Sequence, residues 1–360
     1  MLQNKKRASI REVAKWAKVS TATVSNVMNG RRSDNDEIAQ RVKKAAEALG
    51  YHPTRAAANL RSGKVPIIAV LVPEIENPFF SSVVGNVEAL AGENGYEIIV
   101  ASSGEDETTE ASRLKAMLAW QPAGLIVIPT RDDFPSQKLV EANGVPYVVV
   151  DRTSKTLFAD TVSVDNRSAG RLAVDHLLDI GCQKILIAAS SLSTHNMHER
   201  CAGAQETVRA RGLRQDQVQI VEAGTSYPNA TEVLGQHLSS DKRPDAILAM
   251  TSILTLSALS ATIANEIGIP KDLALVGFDD YAWMSARKTP ITAISQPIIE
   301  IVEAAWRQLS HRIAGDEGMP IPMAFECVLY ERASTLGFHP SDSAISERDV
   351  TSRIRGSPKN

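Results

Sequence analysis

The chain is poor in cysteine. Its three cysteines, Cys182, Cys201 and Cys327, are odd in number and share no C-x-x-C spacing, which excludes a disulfide framework and fits a reducing compartment. No run of apolar residues reaches membrane-spanning length, and no signal-peptide hydrophobic region opens the chain, so a cytoplasmic protein is predicted. The usual catalytic signatures are also missing. There is no Walker P-loop and no G-x-G-x-x-G after a strand, so no nucleotide cofactor is predicted. His195-Asn196-Met197-His198-Glu199 lacks the spacing of a helical zinc motif and has no convincing third ligand. Ser190-Ser191 is not set in a G-x-S-x-G elbow. These absences predict a protein that binds rather than catalyses, with neither cofactor nor metal.

What is present is unevenly distributed. The formal charge of −3 combines a basic start with an acidic body. Residues 1–64 hold 14 Lys and Arg against 5 Asp and Glu, a net of +9, whereas the remaining residues carry a net of −12. A compact basic segment on an acidic body predicts a polyanion-binding module joined to something else.

That segment has helical patterning. Ser9-x-x-Glu12 is a capping box, followed by Ile10, Val13, Ala14 and Ala17 on one face. Ser20 caps a second stretch, Thr21 to about Met28, which Asn29-Gly30 closes. The run VSTATVSNVMNG (residues 19–30) has five Ser, Thr and Asn residues in its first eight positions and no charge. A third helix is predicted from about Asp36 to Leu49. Two short helices joined by a tight turn and buttressed by a third describe a helix-turn-helix.

TRAAANLR (residues 54–61) has helical composition but is too short to be stable alone in water, which leaves a linker or a helix formed against a partner. From residue 66, near-continuous apolar runs alternate with helical stretches: IIAVLV, EIIVAS, GLIVIP, PYVVVD, TVSVD, KILIAA, AILAM and LALVGF. The alternation predicts a doubly wound α/β fold, and its length predicts two lobes. The expected domains are residues 1–53 (helix-turn-helix), 54–64 (hinge) and 65–340 (two lobes, with crossings near 162, 293 and 325). Residues 341–360 are expected to be a disordered polar tail.

Read in order, SIREVAKWAKVSTATVSNVMNG, LGYHPTRAAANLRSGK, IAVLVPEIENPFF, VSVDN, VGFDD and PITAISQP resemble the LacI/GalR (lactose-repressor) family of bacterial transcription regulators. The resemblance spans residues 8 to about 338. It implies a hinge helix after the helix-turn-helix and a core of the periplasmic sugar-binding type. It further implies a homodimer on a near-palindromic DNA operator, with a small effector between the lobes.

In such a module the second helix enters the major groove with its N-terminal side chains toward base edges. Thr21, Ala22 and Asn26 lie on one face, with Val24, Val27 and Met28 on the other. Thr21 can donate or accept, Ala22 can touch a thymine methyl, and Asn26 can pair bidentately with adenine. The family commonly carries arginine or histidine at the position of Asn26. Ser9, Ser20, Thr23, Ser25, Asn29, Arg31 and Arg32 are the expected DNA-backbone contacts. The resemblance implies that Leu60 wedges into the central minor-groove step, and Ala57 and Ala58 are small enough for two hinge helices to pack closely.

In a doubly wound sheet a ligand meets the carboxyl ends of the strands. The loops there supply Phe79, Phe80, Arg131, Asp151, Asn196, Arg200, Asp279, Trp283 and Gln296 as candidate effector residues. Aromatic faces with carboxylates, arginine and amides suit a polyhydroxylated ligand, a sugar or sugar derivative. Arg131, Arg152 and Arg200 could instead favour a phosphorylated sugar. By resemblance, Arg200 and Asp279 match the family's most recurrent effector contacts. Thr251 stands where many members carry an asparagine ligand. For Asp279 and Asp151, the structural alternative is a helix cap or an interlobe salt bridge. Two competing readings are a periplasmic-type sugar-binding protein and an α/β enzyme fused to a DNA-binding domain. The basic N-terminal module opposes the first, and the lack of a catalytic constellation opposes the second.

Overall fold

A computed structural model describes residues 8–28, 32, 36–51, 65–154, 156–240 and 243–338. The expectations for Asn29, Arg31, the hinge with Ala57, Ala58 and Leu60, and the tail at 341–360 lie outside the described residues. The chain divides into an N-terminal unit and a larger core unit.

In the N-terminal unit, α1 (Ile10–Ala17) begins at a complete capping box. The Ser9 hydroxyl accepts from Glu12 N, and the Glu12 carboxylate accepts from Ser9 N at 2.6 Å. It buries Val13, Ala14 and Ala17 and ends at Lys18, which takes the left-handed conformation. Helix α2 (Thr21–Met28) starts where the Ser20 hydroxyl accepts from Thr23 N at 3.0 Å. The Asp36 carboxylate caps α3 (Glu37–Leu49), and Gly50, at φ +60°, stops it. Val13, Val24 and Val42 are fully buried among the alanines of the three helices.

The core begins with β1 (Val65–Val72), α4 (Pro78–Glu93), β2 (Glu97–Ser102), α5 (Glu107–Leu118), β3 (Pro122–Val127), α6 (Gln137–Ala142), β4 (Tyr147–Val150) and β5 (Thr161–Val164). It continues with α7 (Asn166–Asp179), β6 (Ile185–Ala189), α8 (His195–Ala210), a 3-10 turn (Gln215–Gln217), β7 (Val218–Glu222), α9 (Tyr227–Leu238), β8 (Ala246–Ala249), α10 (Ser252–Ala264) and β9 (Ala274–Phe278). It closes with α11 (Ala282–Ser285), β10 (Thr292–Ser295), α12 (Ile298–Ile313), β11 (Pro322–Phe325) and β12 (Val328–Tyr330).

These strands make two six-stranded sheets of matching order, β11-β5-β4-β3-β1-β2 and β12-β10-β9-β8-β6-β7. Each sheet is parallel except that β12 runs antiparallel to β10, whereas β11 runs parallel to β5. The lobes are therefore near-duplicates in topology. Strands β3, β6, β8 and β9 are buried along their whole length, which explains their unbroken apolar sequences. The lobe cores are separate, around Leu71, Leu125 and Val149 in the first and Leu186, Ile247 and Leu275 in the second.

The chain passes between the sheets after β5, after β10 and between β11 and β12. Helix α12 returns to the first lobe, where the Trp306 ring meets Tyr96 edge-on at 5.9 Å. PITAISQP, expected as a crossover, also contains strand β10. Strands β7, β11 and β12 do not stand out in the sequence. Strand β7 is an edge strand with alternating partial exposure, and the other two are short and half solvated.

Candidate functional site

In the N-terminal unit, Thr21, Ala22 and Asn26 are exposed on α2, while Val24 and Val27 are buried. The uncharged polar face therefore points outward, and the apolar spacing anchors the helix. Ser20 and Thr23 lock the start of α2, their hydroxyls 2.9 Å apart. The Ser9 hydroxyl both accepts and donates within its cap, donating to Glu12 at 2.8 Å. Arg32 pairs with Asp36 at 3.2 Å. Thr23 and Ser25 are partly buried beside the exposed face.

In the core, a cavity of about 530 Å³ opens between the lobes, at the carboxyl ends of both sheets. It is lined by Phe79, Phe80, Arg131 and Asp151 from the first lobe, and by Asn196, Arg200, Thr251, Asp279 and Gln296 from the second lobe and its crossover. Trp283 is a correction, because it does not line the cavity. Asp279 and Asp280 both have positive φ, and Arg332 holds Asp280 in a bidentate pair, which turns the chain away. The short helix α11 then packs Tyr281 and Trp283 onto the second-lobe core around Met284.

Asp151 and Asp279 occupy equivalent positions. Each follows the third strand of its sheet, β4 or β9, in the left-handed region at φ 65° and 78°. Each backbone N–H bonds the next strand, Asp151 to Val162 O at 2.9 Å and Asp279 to Ile294 O at 2.8 Å. The left-handed conformation costs on the order of 1–2 kcal/mol per residue, which the paired backbone offsets. It turns both carboxylates from the strand ends into the cavity.

Burial pushes both carboxyls above the ordinary carboxylate range. The Arg200 guanidinium opposes the shift at both sites, Arg152 helps at Asp151, and a hydrogen bond from Gln296 helps at Asp279. That bond runs from Gln296 Nε2 to Asp279 Oδ1 at 2.5 Å, while Gln296 Oε1 is buried without a hydrogen-bond partner among the described residues. Asp279 also serves a helix start. It accepts a hydrogen bond from the backbone of Ser252, the first residue of α10.

Arg200 is held on three sides. Its Nε donates to Asn166 Oδ1 at 2.8 Å, its Nη1 donates to Met250 O at 2.8 Å, and its guanidinium lies 3.8 Å from the Phe278 ring centroid. Helix α8 reaches this position because it packs against α7 at Gly170 and Gly203. A Cβ on Gly170 would sit 1.9 Å from the Arg200 carbonyl oxygen, and one on Gly203 would sit 1.9 Å from the Arg167 carbonyl oxygen.

The other two arginines are already paired. Arg152 makes a bidentate pair with Glu105 at 2.5 Å and also donates to Thr130 O. Arg131 pairs with Asp133 and Glu107 at a half-exposed position. The Thr251 hydroxyl caps α10, accepting from Leu254 N at 3.2 Å. Asn166, the last residue of the VSVDN motif, was not singled out in the sequence, and neither was Asp132. Each acts on a partner tens of residues away.

A helix-turn-helix unit followed by a two-lobed α/β core with a polar interlobe cavity defines the class of ligand-responsive DNA-binding regulators. Models of known families match both parts: the bacterial regulatory proteins of the lacI family over residues 9–54, and a periplasmic binding protein domain over residues 68–287. The HTH-type transcriptional regulator PtxS of Pseudomonas putida is 32% identical over 334 residues, covering 92% of this chain and 97% of that protein. The chain therefore belongs to the lacI family of transcriptional regulators. A solved transcriptional regulator CelR–cellobiose complex is 27% identical, with a TM-score of 0.68, covering 91% of this chain and all of that one. The lac repressor dimer bound to operator and an anti-inducer shares the fold, with a TM-score of 0.80 at 24% identity over 92% of this chain and all of that one. The relatives are regulators rather than enzymes. Among the described residues no helix is long and apolar enough to cross a membrane.

Proposed function

We propose that the protein is a cytoplasmic, homodimeric repressor whose affinity for a near-palindromic DNA operator is set by a small carbohydrate bound between the core lobes. The observation that carries this reading is the cavity in which Asp151 and Asp279, one from each lobe, face a single Arg200 fixed from behind. Carboxylates accept from hydroxyls, Arg200 donates, and Phe79 and Phe80 offer apolar surface to C–H faces. The solved relative holding cellobiose supports a sugar as the ligand class.

At the DNA, Thr21, Ala22 and Asn26 read bases, and Asn26 favours adenine. Arg32, Thr23 and Ser25 contact phosphates, joined by Asn29 and Arg31. Ser9 and Ser20 act there through the helix starts they cap. Leu60, with Ala57 and Ala58, supplies the minor-groove wedge.

The cavity favours an uncharged sugar over a phosphorylated one. Arg152 and Arg131 are neutralised by Glu105, Glu107 and Asp133, and Arg200 already faces two carboxylates. A phosphate would find each of these three arginines already beside acidic side chains.

A thermal-shift screen of neutral mono- and disaccharides beside their phosphates tests the reading. A neutral sugar at a hundredfold excess over its Kd should stabilise the protein by about 2.7 kcal/mol and raise its melting temperature. The same sugar should change affinity for an operator selected from random DNA. Stabilisation by phosphates alone would overturn the neutral-sugar assignment. A bound sugar without effect on operator affinity would overturn the regulatory link.

A further inference from the structure

The first N–H of α8 is satisfied by the other lobe, and the N–H of Met197 by the Asn196 side chain at 2.7 Å. The N-cap residue, Thr194, makes no side-chain capping bond. Instead, His195 N donates to Asp132 Oδ2 at 2.7 Å, across 63 positions of sequence. One residue on, Asn196 Nδ2 makes a long 3.4 Å contact with Asp151 Oδ2, also in the first lobe. One turn further, Arg200 faces the same Asp151. A first-lobe carboxylate thus sits on the positive end of a second-lobe helix whose first two turns line the cavity.

Asp132 itself does not line the cavity. Its Oδ1 is buried with no hydrogen-bond partner among the described residues, so its hydrogen bond there is the one from α8 to Oδ2. The loop that carries it is tied down within its own lobe. Thr130 N donates to Glu110 at 2.6 Å, the Thr130 hydroxyl is 2.9 Å from that of Ser103, and Phe134 is buried. Asp132 is therefore a fixed point of one lobe touching the other.

We propose that Asp132 is a positioning residue of the effector site: it caps α8 across the lobe boundary, holds Asn196 and Arg200 toward Asp151, and so links lobe closure to cavity geometry. This rests on reading the cavity as the effector site. When the lobes part, the helix start and the carboxylate lose their partners together, so the contact favours the closed core. A sugar that spans the lobes then has less reorganisation to drive.

Two measurements on the full chain test it. Asp132→Ala should speed amide hydrogen exchange at His195–Arg200 by roughly three- to tenfold, the scale of a lost cap, and Asp132→Asn, which keeps an oxygen acceptor, should restore most of the protection. Spin labels at the exposed positions Lys138→Cys and His198→Cys report the lobe separation, the three native cysteines being buried. Asp132→Ala should lengthen that distance. Adding Thr194→Asp gives α8 a cap from its own lobe. It should restore exchange protection but not the distance, which separates an interlobe role from helix capping alone. An unchanged distance in Asp132→Ala, or a distance restored by Thr194→Asp, would overturn the proposal. Neither readout uses sugar or operator, so its failure would leave the regulatory reading standing, and a failed sugar screen would leave this contact standing.

Discussion

Burial of Asp279 outweighs the Arg200 guanidinium and the Gln296 amide, which both favour the carboxylate, so folding favours its protonated form. Its folded pKa lies above the ordinary value of 3.8. The stability it contributes is fully present below that value and is lost as pH rises through the raised one. Asp279→Asn should therefore flatten the fall in melting temperature as pH rises above about 4, checked by calorimetry along a pH series. Asp151 is shifted in the same direction, so some slope should remain in the single variant and less in the double. An identical slope in parent and Asp279→Asn would show that burial does not control this group. Asp151, Arg200 and Asp279 were legible in the sequence because the ends of apolar runs mark the carboxyl edge of a parallel sheet. Trp283 was misplaced because the two positive-φ residues at 279–280 redirect the chain, and nothing local in the sequence announces that turn.

Helix α8 illustrates what is readable in an element and what is not. Its position after a buried strand follows from the alternation of the sequence, and Asn196 and Arg200 share its cavity-facing side. Its depth depends on Gly170 and Gly203, which look like ordinary helical glycines until the two helices are placed together. Gly170→Ala would drive a methyl into backbone that has no flexible end to move. We expect a loss of about 3 kcal/mol or more in chemical denaturation, together with displacement of Arg200. A loss below about 1 kcal/mol would mean that α7 and α8 slide apart easily. The central strands were readable because burial on both faces leaves unbroken apolar runs. Strand β7 was not, because Gln219 and Glu222 interrupt its short, half-covered apolar run.

At the scale of the whole molecule, the proposed reading of one half-site by one α2 requires two chains on the operator. Light scattering of the full chain without DNA should give twice the chain mass. A monomer or a tetramer would contradict the proposed dimer. The order of the strands carries a further consequence, for synthesis. Residues 65–164 supply five strands of the first sheet, but its remaining edge strand, β11, lies at Pro322–Phe325. At roughly 5–20 residues per second on the ribosome, the interval between emergence of β5 and of β11 is on the order of 10–30 s. Throughout it, Thr161–Val164 is an unpaired edge able to recruit a strand from another nascent chain. Expression yield should therefore depend more on the last described stretch of this chain than its small share of the core would suggest.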